Sequence, residues 1–197
     1  MRLLEKVLSL TIRPSRRLLR SYFKFDKWHV STLYDKKYAL DIVRHLNSRP
    51  AAERTAAVEI GCGLGDILRH LRYRQRTGFD NDRDALRAAR FLSRLRGQTR
   101  VDYDYFEFPA SPLNGTSDVI LMVNWIHHVP PDLLKKKLGG YFEHHLRPGG
   151  EIVIDTVQDK EYKFNHDIRF LTLGLPATIE RLGEYQRQRE IWLIKKI

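Results

Sequence analysis

The chain of 197 residues holds a single cysteine, Cys62. An internal disulfide is therefore excluded, and a place between two glycines suits a small packing residue better than a nucleophile. Long apolar runs are also missing, since none approaches the roughly 20 residues that a membrane-spanning helix requires. No succession of charged, apolar and small residues marks a secretory signal, so a cytoplasmic protein is expected. Internal repeats and low-complexity tracts are absent. Metal-ligand clusters are lacking too: His127-His128 and His144-His145 are adjacent pairs that do not share a helix face and have no acid triad nearby. No metal is expected.

Acidic residues are the scarcer charge. Lys plus Arg number 35 against 24 Asp plus Glu, a formal net charge of +11. That balance favours an anionic partner, with plain solubility as the alternative. The asymmetry is strongest in the first 20 residues, where Arg2, Lys6, Arg13, Arg16, Arg17 and Arg20 face the single acid Glu5. Leu3, Leu4, Val7, Leu8, Leu10 and Ile12 lie between them. Such a basic amphipathic segment can lie on the anionic inner face of a membrane or pack on the domain as a helix. A mitochondrial transit peptide has the same composition and is a minor alternative.

What is present centres on Val58-Glu59-Ile60-Gly61-Cys62-Gly63-Leu64-Gly65-Asp66, followed by Gly78-Phe79-Asp80 at the end of a second apolar run. The apolar residues 56–60 read as a buried strand, and alternate glycines let the backbone turn sharply and approach a ligand closely. A carboxylate about 20 residues later is placed to hold a ribose. A structural turn is the plainer reading, and a dinucleotide is the rival ligand. Dinucleotide folds favour G-x-G-x-x-G, however, and seat a pyrophosphate on the following helix N-terminus. Asp66 at that helix start would repel a phosphate but tolerate a sulfonium or an ammonium.

The rest of the chain alternates. Pro14 is expected to interrupt a first helix, with a second segment resuming at Arg16 to Tyr22. Helical spacing returns from Leu33 to Leu46, so residues 1–50 read as a helical N-terminal lid. Strands are expected at 56–60, 76–80, about 99–103, 118–123 and 151–157, and helices at 65–73, 82–95 and 131–145. Arg147-Pro148-Gly149-Gly150 reads as a tight turn before the fifth strand, and 178–186 and 189–197 as paired final strands, one antiparallel. The length fits one domain, 1–197, with a core at 51–197; βα alternation implies a mostly parallel sheet covered on both faces.

In the form Glu59-x-Gly61-x-Gly63-x-Gly65 the loop resembles motif I of the class I S-adenosylmethionine (SAM) methyltransferases, and the likeness extends over residues 56–157. It implies a Rossmann-like α/β fold, a seven-stranded sheet with an antiparallel C-terminal strand, and SAM as cofactor, released as S-adenosylhomocysteine. By the same resemblance Glu59, Gly61, Cys62, Gly63 and Gly65 hold the cofactor's methionine part, Asp80 its ribose diol, and Asn81, Asp104 and Tyr105 its adenine, with Asp102 as an alternative to Asp104. Asn124 and Trp125, in a segment similar to the family's fourth-strand motif, fall at the mouth of the site. A narrower likeness rests on Phe23 to Ser31, Val123 to His128 and Asn165-His166-Asp167. These resemble small methyltransferases of bacterial polysaccharide and lipopolysaccharide gene clusters, which implies O-methylation of a sugar or sugar phosphate and an anionic glycan acceptor.

A hydroxyl acceptor calls for a general base, and histidine suits that task near neutrality. Candidates are His29, His127, His128 and His166, with His128 and His166 preferred because they follow strands four and five; Asp155 is a carboxylate alternative. Each of these side chains has a structural role as its ordinary alternative. Two other functional readings stand beside this one. An RNA or DNA methyltransferase would use the charge and the stacking surfaces of Trp28 and Trp125, but no N-P-P-Y-type tetrapeptide follows strand four. A SAM-fold binding protein without catalysis is the other.

Overall fold

The computed structural model describes residues 2–95, 97 and 101–197, with side chains from Leu10 onward. The first element is one helix, α1 (Arg2–Phe23), with Pro14 inside it. The expected break at Pro14 does not occur. Pro14 lies on the solvent side, where a carbonyl that loses its N–H partner can find water instead. Short 3₁₀ turns at Lys27–Val30 and Leu33–Asp35 lead into α2 (Lys37–Ser48).

The strands are β1 (Ala56–Ile60), β2 (Gln75–Asp80), β3 (Val101–Tyr105), β4 (Ser117–Met122), β5 (Leu146–Thr156), β6 (Ala177–Tyr185) and β7 (Arg189–Lys196). They form one sheet in the order β3-β2-β1-β4-β5-β7-β6. β7 inserts antiparallel between β5 and β6, and the pairings among β1 to β5 are parallel. This is the fold class expected from the sequence. The remaining helices are α3 (Arg83–Leu95), α4 (Pro131–His144) and α5 (Ile168–Thr172).

Period-two alternation splits the sheet into two cores. Ala57, Val119, Leu121, Val153 and Leu193 pack with Ala39, Ile42 and Leu46 of α2 and Leu86 and Ala89 of α3. Their neighbours Val58, Ile60, Ile120, Met122, Ile152, Ile154 and Ile194 pack on the other side with Leu134, Leu138 and Phe142 of α4 and with α5. β1 and β4 are buried at every position, so they read as continuous apolar runs rather than alternating ones. The strand order reverses between β1 and β4, and such a switch point opens a crevice at the carboxyl ends of the strands.

Two local expectations need correction. Residues 65–73 form no α-helix; the glycine loop uses the chain up to about Ile67, a single 3₁₀ turn covers Leu68–His70, and Leu71 is already extended toward β2. Too few residues remain for a crossover helix. The turn at 147–150 lies inside β5, as an irregularity that shifts the pairing from Ser117↔Leu146 to Val119↔Glu151, with Gly149 at φ 72°. Of the strand expected at about 99–103, Val101–Tyr105 is extended, and residues 99 and 100 lie outside the described residues.

Candidate functional site

A cleft of about 1520 Å³ opens at the switch point and runs from the glycine loop to the turns after β5 and β6. Its floor is the loop itself. Gly61, Gly63 and Gly65 have φ of 76°, 53° and 70°. At each of them the close approach of another side chain forbids a Cβ: the Trp125 indole packs on Gly61, His29 Nδ1 lies 2.6 Å from where a Cβ of Gly63 would be, and the Tyr103 ring packs on Gly65. Gly65 faces the opposite way, against Tyr103, and does not line the cleft.

The loop is held by carboxylates. Asp80 accepts hydrogen bonds from the Gly63 N–H (2.7 Å) and the Asp82 N–H (2.9 Å), one on each oxygen. A carboxylate has about four acceptor positions, so both oxygens keep capacity toward the cleft. Glu59 is buried, takes a hydrogen bond from the Leu68 backbone, and leaves its Oε2 without a partner. Burial, with the Asp66 charge adding to it, pushes its pKa up to about 8. Lys36, which also lines the cleft, is pushed the other way by burial, with the nearby Asp66 carboxylate opposing that shift.

Asp66 is not a free negative charge at a helix start. Burial pushes its carboxyl upward, but the Arg16 and Arg69 guanidiniums outweigh that and hold it below the ordinary carboxylate range. Arg16 reaches it from α1 (2.5 and 2.8 Å) and Arg69 from the 3₁₀ turn (2.6 Å). Arg16 also donates to the Ser31 carbonyl, so one buried side chain ties α1, the segment after it and the glycine loop together. The electrostatic argument drawn from Asp66 therefore fails, because its charge is matched.

The far wall follows β4. Asn124 adopts φ 72° and its N–H donates to Asp155 Oδ1 (2.7 Å). Trp125 donates from Nε1 to the Ile60 carbonyl (2.6 Å) and packs edge-on against Phe108, which makes it a fixed wall. His127 is buried between His128 (4.4 Å between ring centroids) and Tyr162 (3.8 Å), and its Nδ1 has no hydrogen-bond partner. Burial, followed by the neighbouring His128 and Arg189, pushes its pKa down to about 4, so the ring is neutral at pH 7.

Of the sequence-predicted residues, the cleft collects Glu59, Gly61, Cys62, Gly63, Asp80, Asn81, Asn124, Trp125, His29, His127 and His128. Several do not reach it. Asp104 is exposed and accepts a hydrogen bond from the Tyr105 N–H, Tyr105 stacks under Arg83 (4.1 Å) with its hydroxyl on Glu107, and Asp102 is exposed; Phe106 and Phe108 line the cleft in their place. β3 is the edge strand of the sheet, two strands from the β1/β4 switch point, although Tyr105 still pairs with Asp80. His166 is buried outside the cleft and bonds the Ile126 carbonyl through Nε2 (2.9 Å), and burial lowers its pKa. Asp155 is buried against Arg189 and the Asn124 N–H, so it has no access to a substrate.

Sequence reasoning missed Lys36, Tyr38, Tyr162, Arg187 and Arg189, which also line the cleft; Lys36 and Tyr38 do so within electrostatic reach of Glu59 and Asp66. They sit in separate, motif-free segments. Only the insertion of β7 beside β5 carries Arg189 to Tyr38, 5.1 Å from guanidinium to ring. No three-residue His, Cys, Asp or Glu group suited to a metal occurs among the described residues.

Residues 58–152 match the family model described as a methyltransferase domain. Among curated proteins no sequence matches the chain significantly. Solved structures similar in fold include the N-methyltransferase NodS from Bradyrhizobium japonicum WM9 with bound S-adenosylhomocysteine, at TM-score 0.69 and 15% identity over 91% of this chain and 97% of that one. The SAM-bound amino pentose methyltransferase CalS10 from Micromonospora echinaspora aligns at TM-score 0.63 and 13% identity, over 90% and 94% of the two chains. TehB from Haemophilus influenzae aligns at TM-score 0.62 and 12% identity over 82% of this chain, which spans 62% of that protein's length. These likenesses establish the fold as that of the class I methyltransferases.

Proposed function

We propose that the cleft binds SAM and that the chain is a methyltransferase acting on an oxygen of a sugar or sugar phosphate. The observation that carries the cofactor half is the conjunction, at one switch point, of a glycine loop in left-handed geometry, the unpartnered Oε2 of Glu59 and the Asp80 carboxylate. These residues fit the cofactor. Glu59 offers an acceptor to an ammonium, Asp80 can take a ribose diol in charge-assisted hydrogen bonds, and Asn81 with Phe106 borders the place of a base. When bound, SAM would supply a methyl group on a sulfonium, open to in-line displacement.

The acceptor half rests on the part of the cleft lined by Tyr38, Tyr162, His127 and His128, whose aromatic faces and hydrogen-bonding edges suit a sugar ring. Lys36 and Lys37 bring positive charge to it, while Arg187 is paired with Glu161 and Arg189 with Asp155. Catalysis there is largely positioning of the acceptor oxygen. His29, His127 and His128 are the histidines within the cleft, and the exposed His128 is the one free to take a proton to solvent. Support also comes from the amino pentose acceptor of the SAM-bound fold neighbour.

Calorimetric titration with S-adenosylhomocysteine tests the cofactor half, and labelled SAM with a panel of nucleotide sugars, lipid-linked glycans and RNA tests the acceptor. A product heavier by one methyl on a sugar oxygen is expected. His128→Ala should cut kcat at least about tenfold with cofactor affinity retained. Failure of S-adenosylhomocysteine to bind overturns the cofactor assignment, and methylated RNA overturns the acceptor.

A further inference from the structure

We propose that the outer face of α1, with the turn that follows it, is a docking surface for an anionic membrane. α1 has two apolar faces. The inner one buries Leu19 and Phe23 against Ala85 and Ala88 of α3. The outer one carries Leu10, Pro14, Leu18 and Tyr22 at intervals of four residues, one continuous stripe on a helix. Leu10, Leu18 and Tyr22 are 66%, 75% and 76% exposed, and Trp28, just past the helix, is 69% exposed. A helix that serves only to cover a domain needs one apolar face.

Beside this stripe runs a groove of about 690 Å³ lined by Arg17, Arg20, Lys24 and Lys27, with no acidic residue in its wall. Arg20 donates to the Phe25 carbonyl (3.3 Å) and holds the turn in place, while the Lys27 ammonium lies 4.9 Å over the Trp28 ring. Arg13 and Arg16 of the same helix are committed to Asp35 and Asp66, whereas among the described residues no acidic side chain is bonded to the groove cations. A row of cations flanked by exposed aliphatic and aromatic side chains is the composition that binds lipid: phosphates meet the groove while the stripe enters the headgroup and acyl boundary. Soluble phosphates or RNA would leave the stripe unused. Trp28 also borders the cleft, so a chain docked this way presents the cleft mouth at the lipid surface.

Flotation with vesicles tests this, and it involves no methyl transfer, so its result is independent of the reading of the cleft. The full chain is expected to float with phosphatidylcholine vesicles containing about 30% phosphatidylglycerol, not with pure phosphatidylcholine, and to be released by about 0.5 M salt. The double variant Arg17→Glu/Lys24→Glu should lose at least about tenfold in partitioning. Leu18→Ser/Tyr22→Ser should lose a comparable factor with an unchanged melting temperature, since all four side chains are exposed. Equal binding to both vesicle types, variants that float like the parent chain, or binding to single-stranded RNA with none to vesicles would each overturn the proposal.

Discussion

At the scale of single residues, burial does most to set the chemistry. Glu59 has its pKa raised from 4.5 to about 8, so between those values the native chain keeps a proton that the unfolded chain releases. Stability therefore falls as pH rises through that window. His127, lowered from 6.5 to about 4, acts in the opposite sense below pH 6.5, because there the unfolded chain binds the extra proton. The two offset one another in the acidic range. Above it Glu59 contributes a slope of up to about 1.4 kcal/mol per pH unit, and Lys36, whose pKa burial lowers, acts in the opposite sense. In thermal denaturation from pH 6.5 to pH 8 the midpoint of the parent chain should fall relative to that of Glu59→Gln. Parent and variant midpoints that run parallel over this interval would mean that Glu59 is ionised in the native protein.

The elements show how far a pattern can be read. The sheet strands and α3 and α4 were legible, because buried strands and an amphipathic helix differ in hydrophobic period. The segment after the glycine loop was not. Its composition is helical, but the distance back to β2 leaves room for one 3₁₀ turn, and composition carries no information about distance. α1 is the converse case, since Pro14 reads as a break only if its side of the helix is buried, and it is exposed. The buried Arg16–Asp66 pair helps hold α1 down, beside its apolar contacts with α3. Arg16→Ala leaves Asp66 with Arg69 alone, so the loss should approach, without reaching, the roughly 3–5 kcal/mol of a fully orphaned buried charge. Urea denaturation should show the lower midpoint, and hydrogen exchange should speed up in α1 more than in β4. An unchanged midpoint would show that α1 is held by its apolar contacts instead.

For the molecule as a whole, the late insertion of β7 is the decisive feature. Ile191, Leu193 and Ile194 are almost fully buried and contribute to both cores, and β6 pairs with no other strand. Removing residues 186–197 therefore strips the last strand from β5, leaves β6 unpaired and leaves the buried Asp155 without Arg189. Such a chain is expected to show no cooperative thermal transition, whereas a folded, cooperative truncation would mean that β1 to β5 suffice.

The division between sequence and structure follows from locality. Residues next to one another in the chain determined the glycine loop, the acid before it, Asp80 at the end of the next strand and the alternation that makes a parallel sheet, and these mark the cofactor end of the cleft. Burial and long-range pairing decided the rest: that Asp66 is neutralised from α1, that Asp104, Tyr105 and His166 fall outside the cleft, and that Lys36, Tyr38, Tyr162 and Arg189 line it together. A cofactor loop is built from consecutive residues and shows in the sequence, whereas a cleft wall assembled from three distant segments exists only once the sheet has formed.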